Sequence, residues 1–254
     1  MTDSPVRLRR EPPPLRSVAV SNVHARSPRM MRVVLAGTQL DGLEISEPAA
    51  SVRLLVPWPE EPFEIPTWNG NEFLLADGRR PALRTFTPVA LNDHGLTLDI
   101  VRHGGGAIAD WAETVAPGEL CAISGPGRGE AIEPSAEHYV LLGDETAIPA
   151  IEQLLGVIAH GVRVDVHIEL VDDCARLDLP SHPRATVTWH VKTPVDAPGA
   201  TLRRAAEATD IDEMTRVWAA GEAAAMQAIR KHLFDDRKIP RGHTTVRGYW
   251  KVQR

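Results

Sequence analysis

The sequence predicts two domains of different fold class, an antiparallel β-barrel or sandwich followed by an α/β domain with a parallel sheet. The first half consists of short segments with alternating apolar residues, separated by proline, glycine and aspartate, a spacing typical of antiparallel barrels and sandwiches. From His138 onward, strands alternate with helical segments, which is the pattern of a parallel sheet with helical crossovers. At 254 residues the chain is long enough to bury one large core or two modest ones.

The elements follow from these patterns in chain order. In the first half, period-two runs predict strands in LRSVAVSNV, MMRVVLAG, SVRLLVPW, TLDIVRH and GELCAISG. In the second half, strands are predicted in HYVLLG, VRVDVHIEL, ATVTWHV and TRVWAAGE. A helix over about 146–160 follows the first of these, and Gly161 is predicted to end it by adopting a positive φ. A second helix is predicted in AAAMQAIRKHLF.

The domain boundary is placed between Gly129 and Glu137, where the pattern changes. The predicted segments are a flexible N-terminus over 1–15, a β-barrel domain over 16–132 and an α/β domain over 133–254.

Composition restricts the classes of function. Hydrophobic residues make up 43% and charged residues 24%, as in globular proteins, and the net charge of −6 argues against a general nucleic-acid binder. Cys121 and Cys174 lie far apart, the N-terminus lacks the apolar core of a secretory signal, and no apolar run is long enough to cross a bilayer. The ten histidines form no pair at helical spacing, so no metal site is expected. We expect a soluble cytoplasmic protein without nucleic-acid partner or membrane insertion.

The segment LRTFTPVAL offers the groups that a planar redox cofactor with a charged tail needs. On an extended strand, Arg84 and Phe86 share one face while the Thr87 backbone is offset toward the other. A guanidinium can bind a diphosphate, an aromatic ring can lie against an isoalloxazine, and a threonine can hydrogen-bond a ring nitrogen. A barrel strand with a core Phe86 and a surface Arg84 is the alternative interpretation.

Three glycines, Gly104 to Gly106, follow a strand and precede a short helix that is predicted to begin near Ala107. Bare glycine lets a ligand approach the backbone, and the free N–H groups and dipole of a helix N-terminus favour a diphosphate. His103 either donates to a phosphate or ends the strand. The motif is neither GxGxxG nor a Walker loop. A flexible turn before a helix anchored by Trp111 is the alternative.

Two further strand-to-helix joints, GDET and AAGE, place acids where a ligand can lie. Gly143 permits the turn, Asp144 or Thr146 can cap the helix, and Pro149 is tolerated only in the first turn. Because α/β sheets bind ligands at the carboxyl ends of their strands, both joints are candidates for ligand contact. A capped helix with solvated acids is the alternative.

Six motifs of this chain resemble, in their order, those of the siderophore-interacting protein family, which are flavin-dependent ferric-siderophore reductases of the ferredoxin-reductase-like superfamily. The motifs are RTFT, HGGGAIADWA, SGPGRG, GDETAIPAI, AAGE and GYWK. The similarity extends from about residue 16 to 251, and GDETAIPAI is its most specific part. It implies a six-stranded antiparallel FAD-binding barrel and an NAD(P)H-reductase-like α/β domain. It also implies FAD as cofactor, NADH, NADPH or a ferredoxin as reductant, and electron transfer to Fe(III) in a ferric siderophore with release of Fe(II).

The resemblance assigns site residues by position. Arg84 would hold the FAD diphosphate, Phe86 would replace a stacking tyrosine, and Thr87 would address the flavin ring. Thr146 would lie close to the flavin edge or to an incoming nicotinamide. The cofactor-binding set it implies is Arg84, Thr85, Phe86, Thr87, Val101, His103, Gly106, Ala107, Ile108, Ala109 and Thr146. The implied NAD(P)-binding set is Gly143, Asp144, Glu145, Ala220, Gly221 and Glu222, and the basic residues implied to attract the anionic chelate are Arg53, Arg128 and Lys251.

The sequence departs from the family's pattern at several positions. Phe86 lacks a phenol hydroxyl, Val89 stands after Pro88 where the family often keeps an arginine, and Ala-Ile-Ala at 107–109 replaces Pro-Ala-Ser. We therefore expect looser FAD binding than in typical members. Two alternatives stay open: a flavoenzyme of the same fold that reduces a free flavin, quinone or natural-product intermediate, and a non-catalytic carrier of a ferric chelate.

Overall fold

The computed structural model describes residues 14–252. Of the predicted flexible segment 1–15, residues 1–13 lie outside the described residues, and the first strand begins at Leu15. The N-terminal half contains β1 (Leu15–Ser27), β2 (Met30–Ala36), β3 (Val52–Val56), β4 (Thr67–Trp68), β5 (Phe73–Leu74), β6 (Ala82–Phe86), β7 (Pro88–Asn92), β8 (Gly95–Val101), α1 (Ala107–Thr114) and β9 (Leu120–Ser124).

The antiparallel sheet of this half closes on itself. Its strand order is β6-β3-β9-β1-β2-β8-β7, and all neighbours are antiparallel. The two edge segments, β6 and β7, are separated in the chain only by Thr87, so one bent strand contributes to both edges. The seven segments therefore amount to the six strands of the predicted barrel. The β4–β5 hairpin was not predicted.

The barrel core follows from the alternation of its strands. Val33, Leu35, Leu54, Leu96 and Leu98 are fully buried in one cluster. Each such side chain contributes about 1.5–3 kcal/mol by leaving water. Helix α1 packs against this barrel through a further set of apolar residues, which are Ile108, Trp111, Ala112 and Val115.

The second half is an α/β domain, as predicted. Its elements are β10 (His138–Asp144), α2 (Ile148–Val157), β11 (Arg163–Leu170), β12 (Ala185–Val191), α3 (Ala200–Ala208), β13 (Arg216–Glu222), α4 (Ala223–Lys231) and β14 (Thr244–Trp250). The strand order is β12-β11-β10-β13-β14, with every pair parallel. One apolar cluster joins α2 to the sheet and a second joins α3 and α4 to its other face. The order reverses between β10 and β13, which makes their carboxyl ends the expected ligand position.

Helix α2 differs from its predicted span. A single 3₁₀ turn over Glu145–Ala147 comes first, and Pro149 lies in the first turn of α2, where it was expected. The predicted end at His160 is wrong because Ile158 adopts an extended conformation and turns into the core. Gly161 lies in the turn that follows, and its φ is not positive, contrary to the prediction.

Several side chains hold the two halves together, among them four whose contacts lie at the carboxyl edge of the parallel sheet or on α2. Arg26 of β1 pairs with Asp99 of β8 and with Glu152 of α2, and Arg29 pairs with Glu145 at 3.0 Å. Gln153 accepts from the Ala49 amide at 2.7 Å and donates to the Pro88 carbonyl at 2.6 Å. Arg247 of β14 donates to the carbonyl of Gly129 at 2.7 Å. These contacts fix the carboxyl edge of the parallel sheet against the barrel.

Two elements of the second half were missed by the sequence prediction. Helix α3 buries Thr201, Leu202, Ala205 and Ala206, so its buried face contains only one large apolar side chain. Strand β14 is an edge strand whose residues are mostly half-buried or exposed. Among residues 14–252, no helix has the length and apolar character needed to cross a membrane.

Candidate functional site

The register between β3 and β6 places Arg84 and Phe86 on one face, as predicted. They lie opposite Leu54 and Val52, which are buried in the barrel, whereas Thr85 lies opposite the exposed Arg53. Phe86 is half-buried against the barrel core. Arg84 is exposed, and its guanidinium donates to its neighbour's carbonyl at 2.7 Å.

The glycine loop before α1 has the backbone that only glycine adopts readily. Gly104, Gly105 and Gly106 have φ of 55°, 85° and 110°. The first helical hydrogen bond runs from Asp110 N–H to the Gly106 carbonyl, so the amides of residues 107–109 have no acceptor within the helix. An added Cβ at Gly104 or Gly105 meets no atom within 4 Å, so the space beside the loop is open. Free donors beside open space at a helix N-terminus suit a diphosphate.

The two parts of the predicted cofactor site lie together. Helix α1 packs against β6 and β3, and Phe86 joins the apolar cluster that contains Ile108 and Trp111. His103 is exposed beside the loop, 3.5 Å from the position of a Cβ on Gly106. Val101, Ile108 and Ala109 are buried, so they can contribute only through their backbone.

Thr87 connects the barrel to the parallel sheet. Its side chain is only 5% exposed, and its Oγ1 lies 3.4 Å from the Tyr249 hydroxyl of β14. Tyr249 packs edge-on against Trp218, with ring centroids 6.3 Å apart, and burial raises the pKa of its phenol. The strand predicted to address the flavin ring therefore touches the carboxyl edge of the sheet.

Asp144 lies at the end of β10 and uses both carboxylate oxygens. Oδ1 accepts from the Thr146 amide at 2.9 Å and from the Thr146 hydroxyl at 2.5 Å, which caps the 3₁₀ turn before α2. Oδ2 accepts from the Trp250 indole at 2.7 Å. Burial raises the pKa of Asp144 to about 6; the hydrogen bonds from Thr146 and Trp250 oppose this shift, and the carboxylate of Glu169 adds to it.

The other two acids of the GDET and AAGE joints are engaged within the protein. Glu145 pairs with Arg29 and accepts from the Val171 amide at 2.8 Å. Glu222 caps α4 by accepting from the amides of Ala224 and Ala225. Both side chains are 4% exposed. Their contact with NAD(P)H stays a prediction; Glu145 uses both of its carboxylate oxygens in these contacts, whereas Glu222 uses Oε2 for both amides.

The small residues of these joints make room for their neighbours. A Cβ on Gly143 would stand 2.5 Å from Ala147 Cβ, and a Cβ on Gly221 would stand 2.6 Å from Asp144 Oδ2. Ala220 is fully buried in the core beneath them. These residues can meet a ligand only through their backbone.

The segments that carry the three predicted chelate-binding cations are connected through the loop after β9. Arg53 lies opposite Ser124, at the end of β9, and the Gly127 amide donates to the Ser51 carbonyl at 2.6 Å. Arg247 donates to the Arg128 carbonyl at 3.3 Å, and Lys251 follows the end of the same strand, β14. Arg53, Arg128 and Lys251 are exposed, and their side chains form no ion pair within residues 14–252.

Comparison with known proteins assigns this chain to a family. Residues 19–130 match the family model described as siderophore-interacting FAD-binding domain, and residues 136–253 match the one described as siderophore-interacting protein. A siderophore utilization protein from T. fusca of known structure is 34% identical, covers 96% of this chain and 95% of its own, and superposes with a TM-score of 0.84. This chain belongs to the siderophore-interacting protein family.

Two curated relatives differ in the fraction of their own length that aligns with this chain. The NADPH-dependent ferric-chelate reductase of Escherichia coli (strain K12) is 27% identical over 94% of this chain and 93% of its own. The mycobactin import ATP-binding/permease protein IrtA of Mycolicibacterium smegmatis is 27% identical over 91% of this chain, which spans only 25% of that protein. The family match confirms the predicted FAD cofactor and the ferredoxin-reductase-like fold.

Sequence reasoning missed the residues that join the two halves of the site. Tyr249 and Trp250 belong to the GYWK motif, from which only the following lysine was assigned a role. The presence of two aromatic residues in a short polar strand was the available signal. Gln153 and Arg29 carried no local signal, because their partners lie far away in the chain.

Proposed function

We propose that this protein is an FAD-dependent ferric-chelate reductase, which passes electrons from NAD(P)H to Fe(III) in a ferric siderophore and releases Fe(II). The observation that carries the proposal is the contact of Thr87 with Tyr249. It joins the strand that carries Arg84 and Phe86 to the sheet edge where α/β domains bind nucleotides. A cofactor ring beside Thr87 is thereby within reach of a reductant at that edge.

The residues present fit FAD. Arg84 supplies an exposed guanidinium without a carboxylate partner among the described residues, and the loop at Gly104–Gly106 supplies amides beside open space. Together they hold a diphosphate, while the Phe86 ring supports the isoalloxazine. FAD, when bound, accepts an electron pair from the reductant and delivers electrons singly to Fe(III).

NAD(P)H is placed at the carboxyl ends of β10 and β13. Gly143 and Gly221 make room there for Ala147 and for the Asp144 carboxylate, and Thr146 is half-buried beside them. Since the acids of both joints are engaged in the protein, they shape this edge and do not transfer protons. Electron transfer to iron requires no general acid or base, and the role of the chain is to orient the two reactants.

The chelate is placed beside Arg53, Arg128 and Lys251. Exposed cations without ion-pair partners raise the local concentration of an anionic chelate, even on a protein of net charge −6. Fe(II) binds hard oxygen ligands more weakly than Fe(III), so reduction releases the metal.

The name of the Escherichia coli relative supports NADPH as donor and a ferric chelate as acceptor. A ferredoxin is the alternative donor. We place the reaction in the cytoplasm, where NAD(P)H is available and where the unpaired Cys121 and Cys174 stay reduced.

An absorbance series tests the proposal. The purified protein is loaded with FAD, made anaerobic, and mixed in turn with NADH, NADPH and reduced ferredoxin, then with ferric catecholate or hydroxamate chelates. We expect bleaching of the flavin band by a nicotinamide, followed by its recovery and by Fe(II) formation with a chelate. Recovery with quinone or free flavin alone would identify a different acceptor, and a colourless protein that takes up no FAD would refute the proposal.

A further inference from the structure

Residues of three sequence motifs lie together at one hydrogen bond between β14 and the end of β10. Asp144 belongs to GDET, Trp250 to GYWK, and Gly221 to AAGE. The indole Nε1 of Trp250 donates to Asp144 Oδ2 at 2.7 Å. Gly221 borders the same oxygen, since a Cβ there would stand 2.6 Å from it. A side chain at position 221 would displace the oxygen that accepts from Trp250.

An irregularity in β14 turns Trp250 toward this oxygen. Gly221 pairs with Gly248, but the next residue, Glu222, pairs with Trp250, so Tyr249 is an extra residue on β14. Such a bulge redirects the side chains that follow it. Tyr249 then contacts Thr87, between β6 and β7, while Trp250 contacts Asp144.

Trp250 has the exposure expected of a wall residue. Its side chain is 38% exposed although its only polar atom is hydrogen-bonded, so the ring is held in one orientation while part of it meets solvent. It lies between Tyr249, which contacts Thr87, and the exposed Lys251. The indole therefore lies between Thr87, beside which the proposed function places the flavin ring, and Lys251, beside which it places the chelate. We call this opening the flavin mouth.

We propose that Asp144 is a positioning residue that holds the Trp250 indole as the aromatic wall of the flavin mouth, and that position 221 must lack a side chain for this bond to form. The proposal rests on the FAD site of the proposed function. It assigns Asp144 a role other than contact with NAD(P)H. Both oxygens are already accepting, and a buried anion would repel a nucleotide phosphate.

Three substitutions attack the same bond in different ways. Asp144→Asn leaves one acceptor oxygen for two sets of donors, so either the Thr146 turn or the indole loses its partner. Gly221→Ala crowds Oδ2, and Trp250→Phe keeps an aromatic ring but removes the N–H. Asp172→Asn is the matched control, because Asp172 also caps a 3₁₀ turn, by accepting from the Cys174 amide, and has no indole donor.

The test is a double-mutant cycle on the FAD-loaded protein. The readouts are flavin emission, which a nearby indole quenches, and the KM for a ferric chelate compared with kcat. We expect each of the three variants to raise flavin emission and to raise the chelate KM by about tenfold, the usual effect of one charge-assisted hydrogen bond. Asp172→Asn should leave both readouts at wild-type values.

Non-additivity decides the outcome. Asp144→Asn should add little in the Trp250→Phe background, because the bond is already absent. An undiminished effect of Asp144→Asn in that background overturns the inference. Unchanged flavin emission in Trp250→Phe overturns it as well. Because Trp250→Phe is a surface substitution, this second result remains informative if Asp144→Asn does not fold. Those results leave the proposed function intact. A wild-type protein that takes up no FAD overturns both.

Discussion

At the scale of single residues, the proposed cofactor site depends on groups that have no partner within the described chain. Arg84 is exposed on a strand whose register is fixed, and among residues 14–252 its guanidinium contacts only the Leu83 carbonyl. The amides at 107–109 are similarly free. Polar groups held in place without partners are pre-organised for an anion, because binding requires little reorganisation.

Arg84→Ala should weaken FAD binding. Charge-assisted hydrogen bonds contribute about 1.5–3 kcal/mol, so we expect the Kd for FAD to rise by roughly tenfold to a hundredfold. Fluorescence titration of the apoprotein with FAD measures this change. Arg80→Ala is the control, since Arg80 is an exposed arginine paired with Glu72 on the preceding loop. An unchanged Kd in Arg84→Ala would remove Arg84 from the diphosphate site.

Asp144 should make stability depend on pH. Its pKa in the folded protein, about 6, lies above the ordinary value of 3.8, so between these values the folded state binds more protons than the unfolded chain. The contribution of this group to the free energy of unfolding therefore falls as pH rises through that window. The groups that face it are Thr146, Trp250, Glu169 and Tyr249.

Urea unfolding of wild type and Asp144→Asn at pH values from about 4 to 7 isolates this contribution. We expect the wild type to lose stability relative to the variant as pH rises to about 6, and the difference to become constant above that. A difference that is flat throughout would mean that Asp144 has an ordinary pKa.

At the scale of elements, what the sequence could predict depended on the source of each element's signal. β10 and β13 are continuous apolar runs, and Pro149 restricts where α2 begins, so their positions were accessible from local pattern. By contrast, α3 is anchored by the buried carboxylate of Glu169, which accepts from the Gly199 and Thr201 amides about thirty residues away. Such an anchor joins residues far apart in the chain and leaves no local motif to recognise.

Glu222 should act as the cap of α4. Glu222→Ala removes the acceptor for the Ala224 and Ala225 amides and should lower the free energy of unfolding by about 1 kcal/mol. Glu222→Gln keeps an acceptor oxygen and should lie much closer to wild type. Urea denaturation measures both. If Glu222→Gln instead raised the KM for NAD(P)H without loss of stability, the carboxylate would contact the nucleotide.

At the scale of the whole molecule, the overall charge opposes the proposed substrate. A protein of net charge −6 repels an anionic chelate at long range, so recognition depends on local cations. The position of Arg53 on its strand was accessible from the sequence. The connection of its strand to the segment of Arg128 and to β14 was not, because it depends on the loop after β9 and on Arg247.

Arg53→Gln combined with Lys251→Gln should raise the KM for an anionic ferric chelate by roughly threefold to tenfold at low salt and flatten its salt dependence. The matched control is Lys231→Gln with Lys238→Gln, which makes the same change in net charge at exposed sites on and after α4. Steady-state kinetics at several ionic strengths distinguishes the pairs. Equal effects of both pairs would show that only the total charge matters.

The side chain of Gln153 helps to set the distance between the two domains. Its amide oxygen meets Ala49 and its amide nitrogen meets Pro88, the residue next to Thr87, while its backbone belongs to α2. In the proposed reaction, the distance between the two reactants would thus be set in part by the length of one glutamine side chain. An asparagine there would be one methylene short, and because transfer rates fall steeply with misplacement of about 1 Å, a residue that touches neither reactant would govern the speed of the reaction.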